Sequence, residues 1–428
     1  MKRIYFFLLH AFSSAQHWVR RRFTRAGLLV LGGLTASAAL GVDTRQTMAY
    51  QIFTFLLALL ALAFVTGLFF RPRFGINRIA PRYAAAGQPF GYHIVLQNCS
   101  GKLQTGLTLL ENLADPRPTF AEFGAERGIP NFERWKRWVS KYNHSAPEAR
   151  DLPPLPPGSE TRVKLEITPE RRGYVRFGGV TVARPDPFGL IRACVDFADK
   201  SSVLILPKRY MLPRLSLPGT RQYQHGGVTL ASSVGDSEEF IGLRDYRPGD
   251  PLQRIHWKSF AKTGKPVIKE FQDEFFERHA LVLDTFAHGG ESEIFEEAVS
   301  VAASFVYAID TQECLLDLMF VDAQAYCFSA GRGQLLNDKM LEILAVVQPG
   351  KGTSFDDLHQ AVAGRRAALS SCICVLLAWD EARQNFVRHL QALGMPLLVL
   401  VIGGELQPTE PWLHVLELGK VQEGLLKL

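Results

Sequence analysis

The stretch Tyr50–Phe70, YQIFTFLLALLALAFVTGLFF, runs for 21 residues without a charge. As a helix rising 1.5 Å per residue it would reach about 31 Å, the thickness of one bilayer core. It is apolar all round, so it has no face to turn to water. A chain carrying it must place part of itself in a membrane or bury a whole helix in protein. A second apolar run, Ala26–Val42, precedes it, and only DTRQTMA lies between the two. The pair predicts an N-terminal transmembrane helical hairpin with spans at about 26–42 and 50–70. The alternative is a buried helical hairpin of a soluble protein.

Arginine sets the expected orientation. Arg20, Arg21, Arg22 and Arg25 precede the hairpin, and Arg71, Arg73, Arg78 and Arg82 follow it. The connecting loop holds one Arg and one Asp. Positive residues stay on the cytoplasmic side, so both ends and everything after residue 71 are expected in the cytoplasm, with the chain multi-pass in the inner membrane. The opening residues, MKRIYFFLLHAFSSA, imitate a signal peptide. Their apolar core, Ile4–Leu9, is shorter than a signal core normally is, which favours a segment lying in the interface.

Lys and Arg exceed Asp and Glu by 48 to 42, a net charge of +6. That excess is small and fits arginines beside a membrane, so no nucleic-acid partner is expected. The six cysteines form no CxxC, and no His pair stands at zinc spacing. Cys372 and Cys374 fall in an apolar run and read as buried free thiols, as in a reducing compartment.

From Gly75 to about Pro213 the pattern changes to short strands. FGYHIVLQN, TRVKLEIT, GYVRFGGVTVA and SSVLILP alternate or run apolar between turn residues, which predicts an Ig-like β-sandwich. RPDPFGLIR is a corner between two strands. A Pro-rich insertion, 114–158, interrupts the sandwich and is expected to be mostly loop. Within it, NFERWKRWVSKY puts Phe132, Trp135, Trp138, Val139 and Tyr142 on one helical face bordered by cations. That face suits either the surface of an anionic leaflet or packing on the sandwich.

After residue 275, apolar strands alternate with amphipathic helices: HALVLDT, LLDLMFVDA, CICVLLAWD and PLLVLVIGG are strands, WLHVLELG a short last one. This implies a doubly wound, mostly parallel sheet covered on both faces. Ligands in such folds sit at the carboxyl ends of the strands, where Asp284 and Asp380 fall. Strand-ending Asp284, the GKGTS turn with Thr353 and the VLLAWD strand resemble a von Willebrand factor A domain. That resemblance implies a divalent cation on a D-x-S-x-S loop, a Thr and an Asp. Here the loop reads Asp284-Thr-Phe-Ala-His288, with Phe286 and His288 in the serine positions, so no metal is expected. Mg2+ on Asp284, Thr353 and Asp380 is the alternative.

Between sandwich and α/β domain lies GLRDYRPGDPLQRIHWKSFAKTGKP, Gly242–Pro266, with six cations and two carboxylates around a Pro-Gly-Asp turn. Asp250 as cap, Pro251 in the first position and Gly264 as stop predict a helix from about Pro251 to Thr263. Leu252, Ile255, Ser259 and Phe260 would face inward, and Arg254, Lys258 and Lys262 would form a basic stripe. His256 and Ser259 stand three apart and can touch, but no third catalytic member is evident. No phosphate-binding glycine loop is present. The readings left are a structural clamp built on Arg244, Asp245, Arg247, Asp250 and Trp257, a docking face on the Arg254–Lys258–Lys262 stripe, or a merely solvated stripe.

The stretch Glu238–Glu274, with ERRGYVRFGGVTVARPDPFGLIR upstream, resembles the signature of the domain of unknown function 58 family. The resemblance implies the layout already read: anchor 1–73, sandwich 74–215, linking signature 216–274 and von Willebrand A-like domain 275–428. It also implies association with a MoxR-type AAA+ ATPase and no established reaction. The expectation is a membrane-anchored, non-enzymatic adaptor with the bilayer and that ATPase as partners and no small-molecule substrate. The competing expectation is a cation-dependent ligand-binding protein or enzyme using Asp284, Thr353 and Asp380.

Overall fold

Three helices open the chain in the computed structural model: α1 (Lys2–Arg22), α2 (Arg25–Leu40) and α3 (Thr47–Leu68). The structure describes residues 2–40, 47–114, 120, 135, 149–213, 240–248, 250, 252–271, 277–286, 293–309, 314–321, 325–330, 334–350, 355–403, 410 and 412–428. Among them, α3 is the one helix long and apolar enough to cross a membrane; its 22 residues rise about 33 Å. The expected first span begins at Arg25, and its 16 residues reach only about 24 Å. α2 lies along α3, and Gly33 lets Leu56 come close: a Cβ there would stand 3.3 Å from the Leu56 Cδ1.

Two compact units divide the chain, Met1–Ile205 and Leu206–Leu428. The first holds the helices and a β-sandwich. One sheet is β1 (Phe74–Ile79), β3 (Phe90–Asn98) and β6 (Glu160–Ile167) in the order β1-β3-β6, all antiparallel. The other runs β2 (Tyr83–Ala85), β9 (Ser201–Leu206), β7 (Gly173–Pro185), β4 (Thr108–Leu113) and β5 (Arg150–Asp151), with β8 (Arg192–Phe197) also on β7. Period-two alternation puts Tyr92, Ile94 and Leu96 of β3 inside against Val175, Val180 and Val182 of β7. Each fully buried aliphatic side chain contributes roughly 1.5–3 kcal/mol.

The end of the expected insertion belongs to this core. Leu152 and Leu155 are buried in it, and Leu155 exchanges backbone hydrogen bonds with Gln104 at 2.8 and 3.0 Å. Of NFERWKRWVSKY, Trp135 alone lies within the described residues. It is 4% exposed and packs edge-on against Phe6 of α1, ring centroids 5.9 Å apart, so its partner is the first helix. One flanking arginine is also internal: Arg78 reaches Glu111 at 2.6 Å with both side chains fully buried, and Tyr92 donates to the same carboxylate at 2.8 Å.

The DPFGL corner fastens the sandwich to the helices. The Asp186 carboxylate accepts the backbone N–H groups of Phe188, Leu190 and Ile191 at 2.9, 2.7 and 2.6 Å, which shapes the turn. Thr24, just before α2, gives its N–H to the Leu190 carbonyl at 3.0 Å and its hydroxyl to that of Gly189 at 2.5 Å. Leu190 and Ile191 then fill an apolar site with Leu60 and Ala63 of α3. Gly27 permits the approach, since a Cβ there would lie 2.0 Å from the Leu190 oxygen.

In the second unit, six strands form one sheet: β12 (Glu277–Leu283), β13 (Cys314–Val321), β14 (Ala325–Ala330), β15 (Ser371–Leu376), β16 (Leu397–Ile402) and β17 (Leu413–Leu416). Their order is β14-β13-β12-β15-β16-β17, parallel except for the edge strand β14. Helices cover both faces, as the continuous apolar strands require. Leu281 and Leu283 face α5 (Glu293–Ala308) and α6 (Gln334–Val346). Ala280 and Val282 face α7 (Phe355–Ala363) and α8 (Glu381–Ala392). Cys372 and Cys374 are free and buried on that second face, as their apolar run implies.

Candidate functional site

The chain order reverses between β12 and β15, which puts the crevice of a doubly wound sheet at their carboxyl ends. Asp284 directly follows β12 and is fully buried. Its Oδ1 accepts the Phe286 N–H at 2.9 Å, and its Oδ2 accepts the Leu377 N–H at 3.0 Å. Asp380 caps α8, accepting the Arg383 N–H at 3.0 Å. The two carboxylates meet through a side chain the sequence did not single out. Arg383, 3% exposed, gives Nε to Asp284 Oδ2 at 2.5 Å, Nη1 to Asp380 Oδ2, and Nη2 to the Phe286 carbonyl at 3.0 Å. Burial opposes the charge on Arg383, but the hydrogen bond and charge of Asp284 outweigh it and raise its pKa. A fixed cation thus stands between the two acids once considered as metal ligands.

Thr353, the third residue of the alternative cation set, lies outside the described residues. Gly350, the last described residue before it, donates to the Thr285 carbonyl at 2.8 Å. A signal for Arg383 was present. The first turn of a helix disfavours cations, because its free N–H groups carry partial positive charge. An arginine in D-E-A-R at a helix start therefore asks for acids in front of it.

The signature segment folds as a separate hairpin. β10 (Phe240–Asp245) pairs antiparallel with β11 (Val267–Phe271), Arg244 opposite Ile268. Arg244 grips Asp250 with both terminal nitrogens, at 2.7 and 2.8 Å, and the Arg247 N–H adds 2.8 Å. These bonds, Arg244 first, hold the Asp250 carboxyl down to about 2. Because Arg244 and the turn claim that carboxylate, no helix starts there. A 3-10 turn covers Leu252–Arg254, Ile255 then bridges to Ile268, and the helix α4 spans only Trp257–Thr263. Gly264 ends it in the left-handed region (φ 68°), with its N–H on the Phe260 carbonyl, as expected.

The expected inward face is largely outside. Ile255 is buried against Ile268, but Leu252 is 64% and Phe260 36% exposed. Trp257 is 62% exposed, its ring edge-on to Phe260 with centroids 6.0 Å apart. Lys258 and Lys262 are exposed beside them, as are Asp245 and Arg247. Arg254 belongs to the 3-10 turn rather than to α4, so of the expected stripe α4 itself carries Lys258 and Lys262. His256 Nδ1 does lie 2.7 Å from Ser259 Oγ, a local side-chain contact at the start of α4.

Residues 242–405 match the family model described as "Protein of unknown function DUF58". This region belongs to the DUF58 family. A curated relative from Bacillus subtilis (strain 168), "Uncharacterized protein YeaD", is 26% identical over 186 residues. That match covers 43% of this chain and 45% of the relative, so under half of the relative's length is spanned. Among solved structures, the CARDB domain of the PF1109 protein from Pyrococcus furiosus matches 32% of this chain and 89% of its own, at 13% identity and a TM-score of 0.20. A β-glucosidase from Listeria innocua matches 31% and 16%, at 15% identity and 0.17. Neither score is high enough to carry a shared fold or activity. The DUF58 region contains both the hairpin from Gly242 onward and the Asp284–Arg383–Asp380 group.

Proposed function

We propose that the protein is a membrane-anchored adaptor without a reaction of its own. It presents its α/β unit to a cytoplasmic MoxR-type AAA+ ATPase, in assembly or maturation of protein complexes or in envelope function. The observation that carries this reading is the exposed Trp257–Phe260 pair, beside Lys258 and Lys262, on a hairpin braced by Arg244 and Asp250. An exposed aromatic pair with charged neighbours is the composition of a protein-binding hot spot. We read the α/β unit as von Willebrand factor A-like. The strand order, the antiparallel edge strand and Asp284 at the switch point support that assignment. The flanking arginines support an inner-membrane, multi-pass location with the sandwich and the α/β domain in the cytoplasm.

The test is co-purification of a co-expressed MoxR-type ATPase with the wild-type chain and with Trp257→Ala. Capture by the wild type and loss in the variant are expected. Equal capture by both removes the hairpin from the proposal. A C-terminal fluorescent fusion should glow and a C-terminal alkaline phosphatase fusion should be inactive. The reverse pair would place the partner on the other side of the membrane.

The meeting of Asp284 and Asp380 in one crevice favours a second reading, in which a divalent cation completes a ligand site there. That reading requires Arg383 to withdraw. Titration with Mg2+ or Mn2+ separates the two. A ligand at ~100-fold excess over its Kd stabilises by about 2.7 kcal/mol. A gain of that size, abolished by Asp284→Ala, would overturn the adaptor reading.

A further inference from the structure

The helix α1 turns an uncovered apolar face outward. Phe7, Ala11, Ala15 and Trp18 recur at four- and three-residue spacing, and Leu8 and Phe12 flank them, so all six lie on one side. Phe7 is 58%, Leu8 64%, Phe12 63% and Trp18 49% exposed, and both alanines are exposed. The opposite side is the one the protein uses. Phe6 is 7% exposed under Trp135 and Phe120. α1 is thus apolar on two sides, with the larger apolar face uncovered and the smaller one packed through Phe6.

We propose that this face lies in the headgroup–acyl boundary of an anionic leaflet, as an in-plane helix beside the membrane span. The proposal rests on the reading that α3 crosses the bilayer. Two observations choose lipid as the occupant. First, α1 contains Lys2, Arg3, Arg20, Arg21 and Arg22 and no Asp or Glu, and the Arg22 guanidinium sits 5.3 Å from the Trp18 ring centroid. Tryptophan with nearby cations is the usual furniture of the interface. Second, the helices that follow carry uncovered apolar side chains of their own. α2 starts at Arg25, and Leu29 at 78% and Phe55 of α3 at 67% are equally uncovered. A helix in this position sinks about 5–10 Å into the boundary.

The experiment uses the full chain in lipid discs of phosphatidylethanolamine and phosphatidylglycerol carrying brominated acyl chains. The Trp18 signal is the difference between wild-type emission and that of Trp18→Phe. A second reporter, Phe55→Trp in the Trp18→Phe background, reads α3. Bromine near the glycerol end should quench most of the Trp18 signal, and bromine near the methyl end should quench Phe55→Trp better. Ala11→Glu with Ala15→Glu should lower Trp18 quenching several-fold while leaving Phe55→Trp quenched. Trp18 untouched by either lipid, with Phe55→Trp quenched, overturns the in-plane helix and leaves the span in place. If neither reporter is quenched, the span falls and the proposal with it. Self-crosslinking through Ala11→Cys, with Trp18 unquenched, makes the face a contact between copies and likewise overturns the proposal.

Discussion

Among the arginine–aspartate pairs of the DUF58 region, Arg383–Asp284 and Arg244–Asp250 differ in where the water is. Arg383 and Asp284 are 3% and 0% exposed at the end of the central strand, with every visible hydrogen-bonding atom engaged. Arg244 and Asp250 are 36% and 17% exposed, and bind the hairpin to its own turn. Removing one partner strands a charge only in the first case, because in the second water takes the vacated place. The interior pair therefore fixes the crevice, while the outer pair shapes a surface.

The sharpest way to break this contrast is Arg383→Ala. Leaving Asp284 buried and unpaired should cost about 3–5 kcal/mol. The melting temperature of the second unit, followed on the solubilised full chain, should fall by on the order of 10 °C. Replacing both partners, Asp284→Leu with Arg383→Met, should cost less than the single change, since no charge is stranded. If Arg244→Ala lowers the melting temperature as far as Arg383→Ala, the contrast is wrong.

The outer surface should respond in binding rather than in melting. Trp257→Ala should weaken capture of the ATPase by roughly 30-fold, the size of a hot-spot loss of about 2 kcal/mol. Its melting curve should stay within about 0.5 kcal/mol of wild type. Lys258→Glu with Lys262→Glu should slow association and flatten its salt dependence, measured by surface plasmon resonance at several salt concentrations.

The smallest effect concerns pH. The carboxyl of Asp250 is depressed from 3.8 to about 2, so its pairing strengthens the hairpin above pH 3.8 and is lost as pH falls toward 2. Exchange of the β10 and β11 amides should accelerate across that window in the wild type. In Asp250→Asn the acceleration tied to this group should disappear.

Much of the architecture could be read from periodicity. FGYHIVLQN occupies β3 from end to end, and the alternation after residue 275 became a doubly wound sheet. What escaped reading depended on contacts distant in sequence. The antiparallel edge strand Ala325–Ala330 carries no pattern that states its direction, which β13 alone provides. Leu152 and Leu155 look like residues of a Pro-rich loop until the bridge to Gln104 places them in the core. Asp250 followed by Pro251 has the local grammar of a helix start, but Arg244, six residues upstream, takes its carboxylate. At the crevice, Asp284 and Asp380 were visible as strand-end acids. Arg383 left only the mark of a cation in a helix's first turn, and its role exists only once the fold brings those acids together.

The seat of the DPFGL corner against α2 and α3 also sets a timetable. Leu190 stands 127 positions after Ala63, so the ribosome finishes the helices long before it makes their plug. At ~5–20 residues per second the interval is roughly 6–25 s. Throughout that time the apolar site at Leu60 and Ala63 lacks the side chains that fill it in the finished fold. A chain stalled before Leu190 would carry its first three helices with that notch unfilled.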